Sequence, residues 1–221
     1  MGECCSPKGY RWIFSERMAQ QEARRYRRSG LDRTSRRIVD FLKSQGVEGR
    51  TILEVGGGIG AIQIELLKAG ASHAVSVELT PTYEGVALEL LQEAGVADRA
   101  ERKVMDFAAA DGNVFPAEIV IMNRVICCYH DMPHLVGAAA DHAEQTLVMT
   151  FPRANWWMRI PLAIANAMLW VTRREFHIFL HRPAEIIATS MRHGLAPALD
   201  QRGFLWTLAA VRRVRSTTSL Q

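Results

Sequence analysis

The run Thr51-Ile-Leu-Glu-Val-Gly-Gly-Gly-Ile-Gly-Ala-Ile constrains this chain more than any other stretch. It reads as a buried strand, a glycine turn and the start of a helix. Its pattern is acidic-x-Gly-x-Gly-x-Gly, carried by Glu54, Gly56, Gly58 and Gly60. A turn without Cβ atoms lets main chain approach a ligand closely. The helix that follows offers N–H groups with no partner inside the helix. That geometry suits a nucleotide-like ligand.

The rest of the chain repeats the strand–helix alternation. Strands are expected over Thr51–Val55, His73–Glu78, Arg99–Met105, Ala117–Met122 and Gln145–Phe151, with helices over Ala61–Ala69, Thr82–Ala94 and Pro133–Ala143. Pro81 opens the second of these helices, a position where proline is favoured. Such alternation implies a doubly wound, Rossmann-like α/β fold with a mostly parallel sheet covered on both faces. Leu195–Gln201 and Phe204–Val211 read as a C-terminal antiparallel hairpin turning at Arg202-Gly203. Two N-terminal helices are expected over 15–28 and 33–46, broken at Ser29-Gly30, with Asp32 or Thr34 capping the second. Pro183–Arg192 is a further helix. A length of 221 residues suits one domain over 35–212, preceded by a helical lid or extension over 1–34 and followed by a frayed tail over 213–221. Asn155–Val171 is apolar, but too short and too charged (Arg159) for a transmembrane segment. It is expected as a lid over a pocket or as a partly buried core helix.

Charge and cysteine usage narrow the setting. The formal charge is +4, and Arg24, Arg25, Arg27, Arg28, Arg33, Arg36 and Arg37 crowd one segment. Such a cluster fits nucleic acid or an acidic membrane surface, or else a solvated helical face. The four cysteines form two adjacent pairs, Cys4-Cys5 and Cys127-Cys128, without the spacing of a zinc site or a disulfide framework. No metal is therefore expected, and a reduced, cytoplasmic protein without a leader is the simplest reading. Met1-Gly2-Glu3-Cys4-Cys5-Ser6 matches a short acylation pattern that often arises by accident.

Three acidic residues narrow the ligand. Glu54 lies on the first strand itself. Glu78 ends the second strand 78 − 54 = 24 positions later, where doubly wound folds present a carboxylate to a ribose. Asp106 follows the third strand beside Phe107, a pair suited to an adenine edge and ring. The Walker pattern is absent, since no Gly-Lys-Ser/Thr follows the glycines. A nicotinamide-dependent oxidoreductase would have to explain the acid on the first strand and the Asp106-Phe107 pair.

This set resembles the class I S-adenosylmethionine-dependent methyltransferases. Glu54-Val-Gly-Gly-Gly-Ile-Gly60 is similar to their first motif, Glu78 (with Leu79 beside it) to their ribose-binding acid, and Met105-Asp106-Phe107 to their adenine-binding segment. Ile121-Met-Asn-Arg-Val125 is similar to the segment that approaches the methionine part, which implicates Asn123 and Arg124. The resemblance implies S-adenosyl-L-methionine as cofactor and methyl transfer as activity. The wider chain is similar to the magnesium-protoporphyrin O-methyltransferase branch, through Arg25-Tyr26-Arg27, Val125-Ile-Cys-Cys-Tyr129 and Thr150-Phe-Pro-Arg-Ala-Asn-Trp-Trp157. In that branch a tyrosine and a histidine are implicated near the transferred methyl. Tyr26 matches the tyrosine. Cys128 stands where the histidine is expected, a departure that counts against a porphyrin carboxylate as acceptor.

The expected acceptor is a small molecule with an oxygen or sulfur nucleophile. His130 is a candidate general base because its ordinary pKa lies near neutrality; the rival is a loop histidine beside a helix cap at Asp131. Tyr26 and Cys128 complete the candidate catalytic set. Tyr129, Trp156, Trp157 and Arg159 are candidate acceptor-binding residues, the arginine for an acidic group. The cysteine pairs suggest an alternative, methylation of a thiol, sulfide or arsenite-like metalloid. An RNA methyltransferase and a non-catalytic cofactor-binding protein are further alternatives, although Asn123-Arg124-Val125-Ile126 lacks the Pro-Pro segment of base amino methylation. A homodimer is compatible with the sequence.

Overall fold

The computed structural model describes residues 9–10, 13–109, 112–153, 155–172 and 176–214. Cys4 and Cys5 lie outside them. Two helices lead, α1 (Glu16–Ser29) and α2 (Arg33–Ser44). The alternating unit follows: β1 (Thr51–Val55), α3 (Ala61–Lys68), β2 (His73–Glu78), α4 (Glu84–Glu93), β3 (Ala100–Val104), β4 (Ala117–Asn123), α5 (Met132–His142) and β5 (Ala143–Pro152). Then come α6 (Trp156–Val171), α7 (Pro183–Arg192), β6 (Leu195–Arg202) and β7 (Trp206–Arg213). The strands form one seven-stranded sheet in the order β3-β2-β1-β4-β5-β7-β6. The first five run parallel; β7 pairs antiparallel with β5 and with β6.

Side-chain alternation along the central strands divides the core. Val120 and Met122 of β4 face a layer with Leu135, Val136 and Ala139 of α5 and Ile186 of α7. Ile119 and Ile121 face the opposite layer, with Ile38 and Leu42 of α2, Ile62 and Leu66 of α3, and Leu90 of α4. A period of two puts successive residues on opposite faces, and both are covered here. Helix α3 buries Gln63 and Ile64 as well as Ile62, Leu66 and Leu67. It is therefore wrapped on more sides than a single apolar stripe implies.

Several boundaries differ from the sequence reading. The helix expected from Thr82 is preceded by a 3₁₀ turn over Pro81–Tyr83, which buries Tyr83. Phe204, expected in the last strand, is an exposed turn residue. Arg212 and Arg213, expected in a frayed end, belong to β7. Arg213 acts as a clasp: its guanidinium donates to the carbonyls of Ala143 (2.7 and 3.2 Å), Ala140 and His193. Those carbonyls end α5 and α7, where backbone acceptors lack helical partners and a cation meets the negative end of the helix dipole. Helix α6 is no core helix; its described outer face is apolar and solvent-exposed.

Replacing Arg213 by methionine keeps the stem but strands these carbonyls. The expected destabilisation is about 2–4 kcal/mol. A thermal melt followed by circular dichroism should fall by roughly 5–15 °C for a chain of this size.

Candidate functional site

Strand order reverses between β1 and β4, so the loops leaving their C-terminal ends diverge and open a crevice. A cavity of about 260 Å³ occupies it, lined by segments that follow β1, β2, β3 and β4 and roofed by α1 and the start of α2.

The glycine turn forms its floor. Gly56, Gly58 and Gly60 have φ of +68°, +57° and +74°, a region open to glycine and strained for other residues. Gly57 is required for another reason: a Cβ there would lie 2.8 Å from the Glu54 carboxylate and 2.9 Å from Ser76 Oγ. A Cβ on Gly56 would meet Val125 Cγ2 at 2.5 Å. The turn is thus packed from beneath by Glu54 and from the side by the loop after β4.

Glu54 is 1% exposed, and its Oε2 has no hydrogen-bond partner among the described residues. Burial, and then Glu78, push its pKa up to about 8, against the pull of Arg102. Glu78 accepts the Gly58 N–H. Burial pushes its pKa up to about 7, against that N–H and Arg102. Arg102 itself is buried on β3; it donates to Gly58 O (3.0 Å) and Glu84 Oε1 (2.8 Å). Its role was not read from the sequence, although a charged residue inside a strand in a sheet covered on both faces is a usable signal.

On the third loop, Asp106 accepts the Ala108 N–H at 3.0 Å and the Tyr129 hydroxyl at 3.2 Å. Tyr129 therefore joins the loops after β3 and β4. Phe107 is buried and packs against His142 while lining the cavity. Asn123 Oδ1 accepts from Thr150 Oγ1 (2.7 Å), and its Nδ2 donates to Ser35 Oγ (3.2 Å). Arg124 has φ +63°, donates to Asp32 Oδ1 at 2.6 Å and lies 5.3 Å from the centre of the Trp206 ring. Asp32 also caps α2 through the N–H groups of Thr34 and Ser35. One carboxylate thus fastens the roof to the loop after β4.

The candidate catalytic residues separate. Tyr26 and Cys128 line the cavity. The Tyr26 hydroxyl donates to Glu65 Oε1 at 2.6 Å, and burial followed by that bond raises its pKa above the ordinary tyrosine value. It is a neutral phenol. His130 is exposed, stacks on Tyr129 and is not in the cavity wall; Asp131 caps α5 through the His134 N–H. Leu79 lines the cavity, whereas Gly60 closes the turn behind it. The side chains of Trp156, Trp157 and Arg159 lie outside the described residues. Several wall residues went unread in the sequence, Tyr83 and Glu22 among them. Tyr83 packs over Gly58, and Glu22 of α1 sits with Oε2 4.0 Å from where a Gly58 Cβ would be. Burial raises the Glu22 pKa, against Arg25 and Arg124. The sulfurs of Cys127 and Cys128 are 3.7 Å apart and not bonded as a disulfide, and the Cys128 contact lowers the Cys127 pKa. No group of three or more potential metal ligands occurs among the described residues.

The fold recurs in solved structures. Magnesium protoporphyrin IX methyltransferase from Synechocystis PCC 6803, solved with bound SAH, superposes with a TM-score of 0.71 over 92% of this chain and 100% of that one, at 18% identity. The chain has the class I S-adenosylmethionine-dependent methyltransferase fold. An O-methyltransferase family protein from Burkholderia thailandensis gives 0.67 at 20% identity, covering 83% of this chain and 57% of that one. Among curated proteins, ribosomal protein L11 methyltransferase from Pectobacterium carotovorum subsp. carotovorum (strain PC1) is 28% identical over 95 residues, 43% of this chain. The chain spans about a third of the length of the curated relatives it matches. No protein-family model matches the chain.

Both acids ionise with difficulty in the folded protein and near 4.5 when unfolded. The folded state therefore binds more protons between these values. Their contribution to stability is full below about 4.5 and is lost as pH rises through about 7 and 8. Glu54→Gln removes its share, so between pH 5 and pH 8 the variant's melting temperature should fall less than wild type's, by roughly 5–15 °C. Differential scanning fluorimetry without added nucleotide checks this.

Proposed function

We propose that the chain is an S-adenosylmethionine-dependent methyltransferase acting on a small-molecule acceptor with an oxygen or sulfur nucleophile. The observation that carries the reading is the placement of Glu54 on β1, Glu78 at the end of β2 and Asp106 just past β3, around one cavity floored by a glycine turn. The residues present fit this cofactor. The unpartnered, buried Glu54 oxygen suits a cationic, hydrogen-donating group, and Glu78 beside the Gly58 N–H suits ribose hydroxyls. Phe107 offers an apolar wall for a purine and Asp106 an acceptor for its amino edge. Asn123 and Arg124 bound the opposite end, toward the amino-acid portion.

When bound, the cofactor supplies a methyl group on a sulfonium that is already activated for in-line displacement. The chain's part is alignment and exclusion of water. Tyr10, Phe14, Tyr26 and Tyr129 supply an aromatic wall, and α1 closes the roof through Glu22, Arg25 and Tyr26. The Tyr26 hydroxyl is committed to Glu65, which supports a positioning role for it over proton transfer. His130, exposed and outside the wall, serves as base only if the loop after β4 rearranges. A nucleophile that arrives anionic needs no base.

The neighbouring thiols favour a second reading, in which the acceptor is a thiol, sulfide or soft metalloid held at Cys127 and Cys128. An RNA acceptor is less well supported. Of the clustered arginines, Arg27 pairs with Glu93, Arg36 with the Leu31 carbonyl and Arg37 with Gln201, while Arg25 faces the cavity.

Isothermal titration should show S-adenosylhomocysteine binding that weakens about 10- to 100-fold in Glu78→Ala, the loss expected for hydrogen bonds to a charged group. No binding by folded wild type would sink the assignment. Incubation with methyl-labelled cofactor and phenols, small thiols, porphyrins or arsenite, read by mass spectrometry, separates the acceptor readings. Cys128→Ser should abolish metalloid or thiol methylation but leave a phenol's methylation within about threefold.

A further inference from the structure

Helix α6 has its polarity reversed. At positions 160, 161, 163, 164, 167, 168, 170 and 171 the exposed residues are all apolar. Ile160, Ile164, Met168 and Val171, spaced four, four and three residues apart, form one stripe, and each is more than half exposed. Trp170 beside them is 80% exposed. The polar residue Asn166 points inward instead. Its Nδ2 donates to the Ile178 carbonyl at 2.9 Å and meets His177 Nε2 at 3.1 Å, while its Oδ1 accepts the Ile178 N–H at 2.9 Å. Those bonds fix the rotation of the helix, so the apolar face is held outward. Patches of this kind on otherwise soluble folds mark a partner surface.

The charge around the helix selects the partner. From Arg153 to Glu175 the sequence contains Arg153, Arg159, Arg173 and Arg174 against the single acid Glu175. An apolar stripe with cationic flanks and tryptophans toward both ends (Trp156, Trp157, Trp170) complements the apolar boundary and anionic headgroups of a bilayer. A second copy would bring a segment of the same net positive charge, a poorer match than an anionic surface. No described helix is long and apolar enough to cross a membrane, so the contact is with one leaflet. We propose that α6 is an interfacial helix that seats this protein on an anionic lipid surface.

The seat is joined to the cavity. Phe176, just beyond α6, packs edge-on against Tyr10 and Phe14, both in the cavity wall. The Phe179 N–H donates to the Cys127 carbonyl at 2.7 Å, and His181 Nε2 lies 3.0 Å from the Tyr129 carbonyl. The chain leaving the lipid-facing helix is thus fastened to the loop that walls the acceptor side.

Flotation of the full chain with vesicles of phosphatidylcholine, with and without phosphatidylglycerol, tests the proposal. The chain should float with the anionic vesicles, less with phosphatidylcholine alone, and less as salt is raised. Ile164→Glu combined with Met168→Glu changes exposed side chains only. It should lower vesicle binding at least about tenfold, with an unchanged circular dichroism spectrum and unchanged S-adenosylhomocysteine titration. The proposal is overturned if folded wild type floats with neither vesicle, or if the double variant floats as well as wild type. It is also overturned if light scattering finds a dimer that the double substitution dissociates while vesicles bind nothing. None of these readouts depends on methyl transfer, so failure here and failure of the enzymatic assignment are distinguishable.

Discussion

Two carboxylates, Glu54 buried beneath the glycine turn and Glu78 accepting one of its N–H groups, set the terms for everything around it. Glu54 lies on β1 opposite Ser76 and Glu78 ends the adjacent β2; burial raises the pKa of both, and Glu78 raises that of Glu54 further. A fold does not hold two such acids without compensation. Part of it is local. The Gly58 N–H points at Glu78, and Arg102 brings a buried cation that also holds the turn through Gly58 O. The remainder is left open, since one Glu54 oxygen faces no donor among the described residues. The glycines follow from this arrangement: Gly57 has no room for a Cβ because the Glu54 carboxylate fills the space beneath it. The acids and the glycines are one packed unit.

That unit is placed by topology and closed by the N-terminal helices. Loops after β1 and β4 part where the strand order reverses, and the gap would be open to water without α1 and α2. Buried Ile38, Val39 and Leu42 seat α2 on the core, and polar bonds tie the roof to the loops of the site. Asp32 caps α2 and pairs with Arg124, Ser35 meets Asn123, and Tyr26 meets Glu65. Arg124 accepts a left-handed backbone, unusual outside glycine, to make this connection while its N–H reaches Thr150 Oγ1. Polar fastenings of this sort release more readily than an apolar seam, which suits a roof that must admit two ligands.

Legibility in the sequence followed the range of the interactions. The strands and their alternation with helices rest on local periodicity, and the acids at the strand ends rest on position within each unit. Both are readable without knowing which strands are neighbours. The hairpin was visible from Gly203, but its strands were offset because Phe204 and Leu205 extend the turn. Tyr83 was hidden by a 3₁₀ turn ahead of α4, which a propensity reading merges with the helix. Glu22 looked like one of many charges on a helical face, and only the packing of α1 over the turn distinguishes it. His130 shows the converse: a chemically apt residue in a promising loop, exposed and outside the cavity wall beside the Asp131 cap.

Helix α6 resists the same logic most clearly. An apolar run ordinarily predicts burial, and here the pattern suited a lid over a pocket or a partly buried core helix. The structure keeps the apolar stripe outside because Asn166 has a better partner inward: both its amide groups are satisfied by one edge of the segment at Ile178. Rotating the helix to bury the stripe would break those bonds and turn Asn166 away from the backbone groups it pairs. Within the isolated chain the rotation is a compromise, with apolar area left in water at about 25 cal/mol per Å². Beside an anionic apolar surface the compromise disappears, since the stripe is buried and Asn166 keeps its bonds.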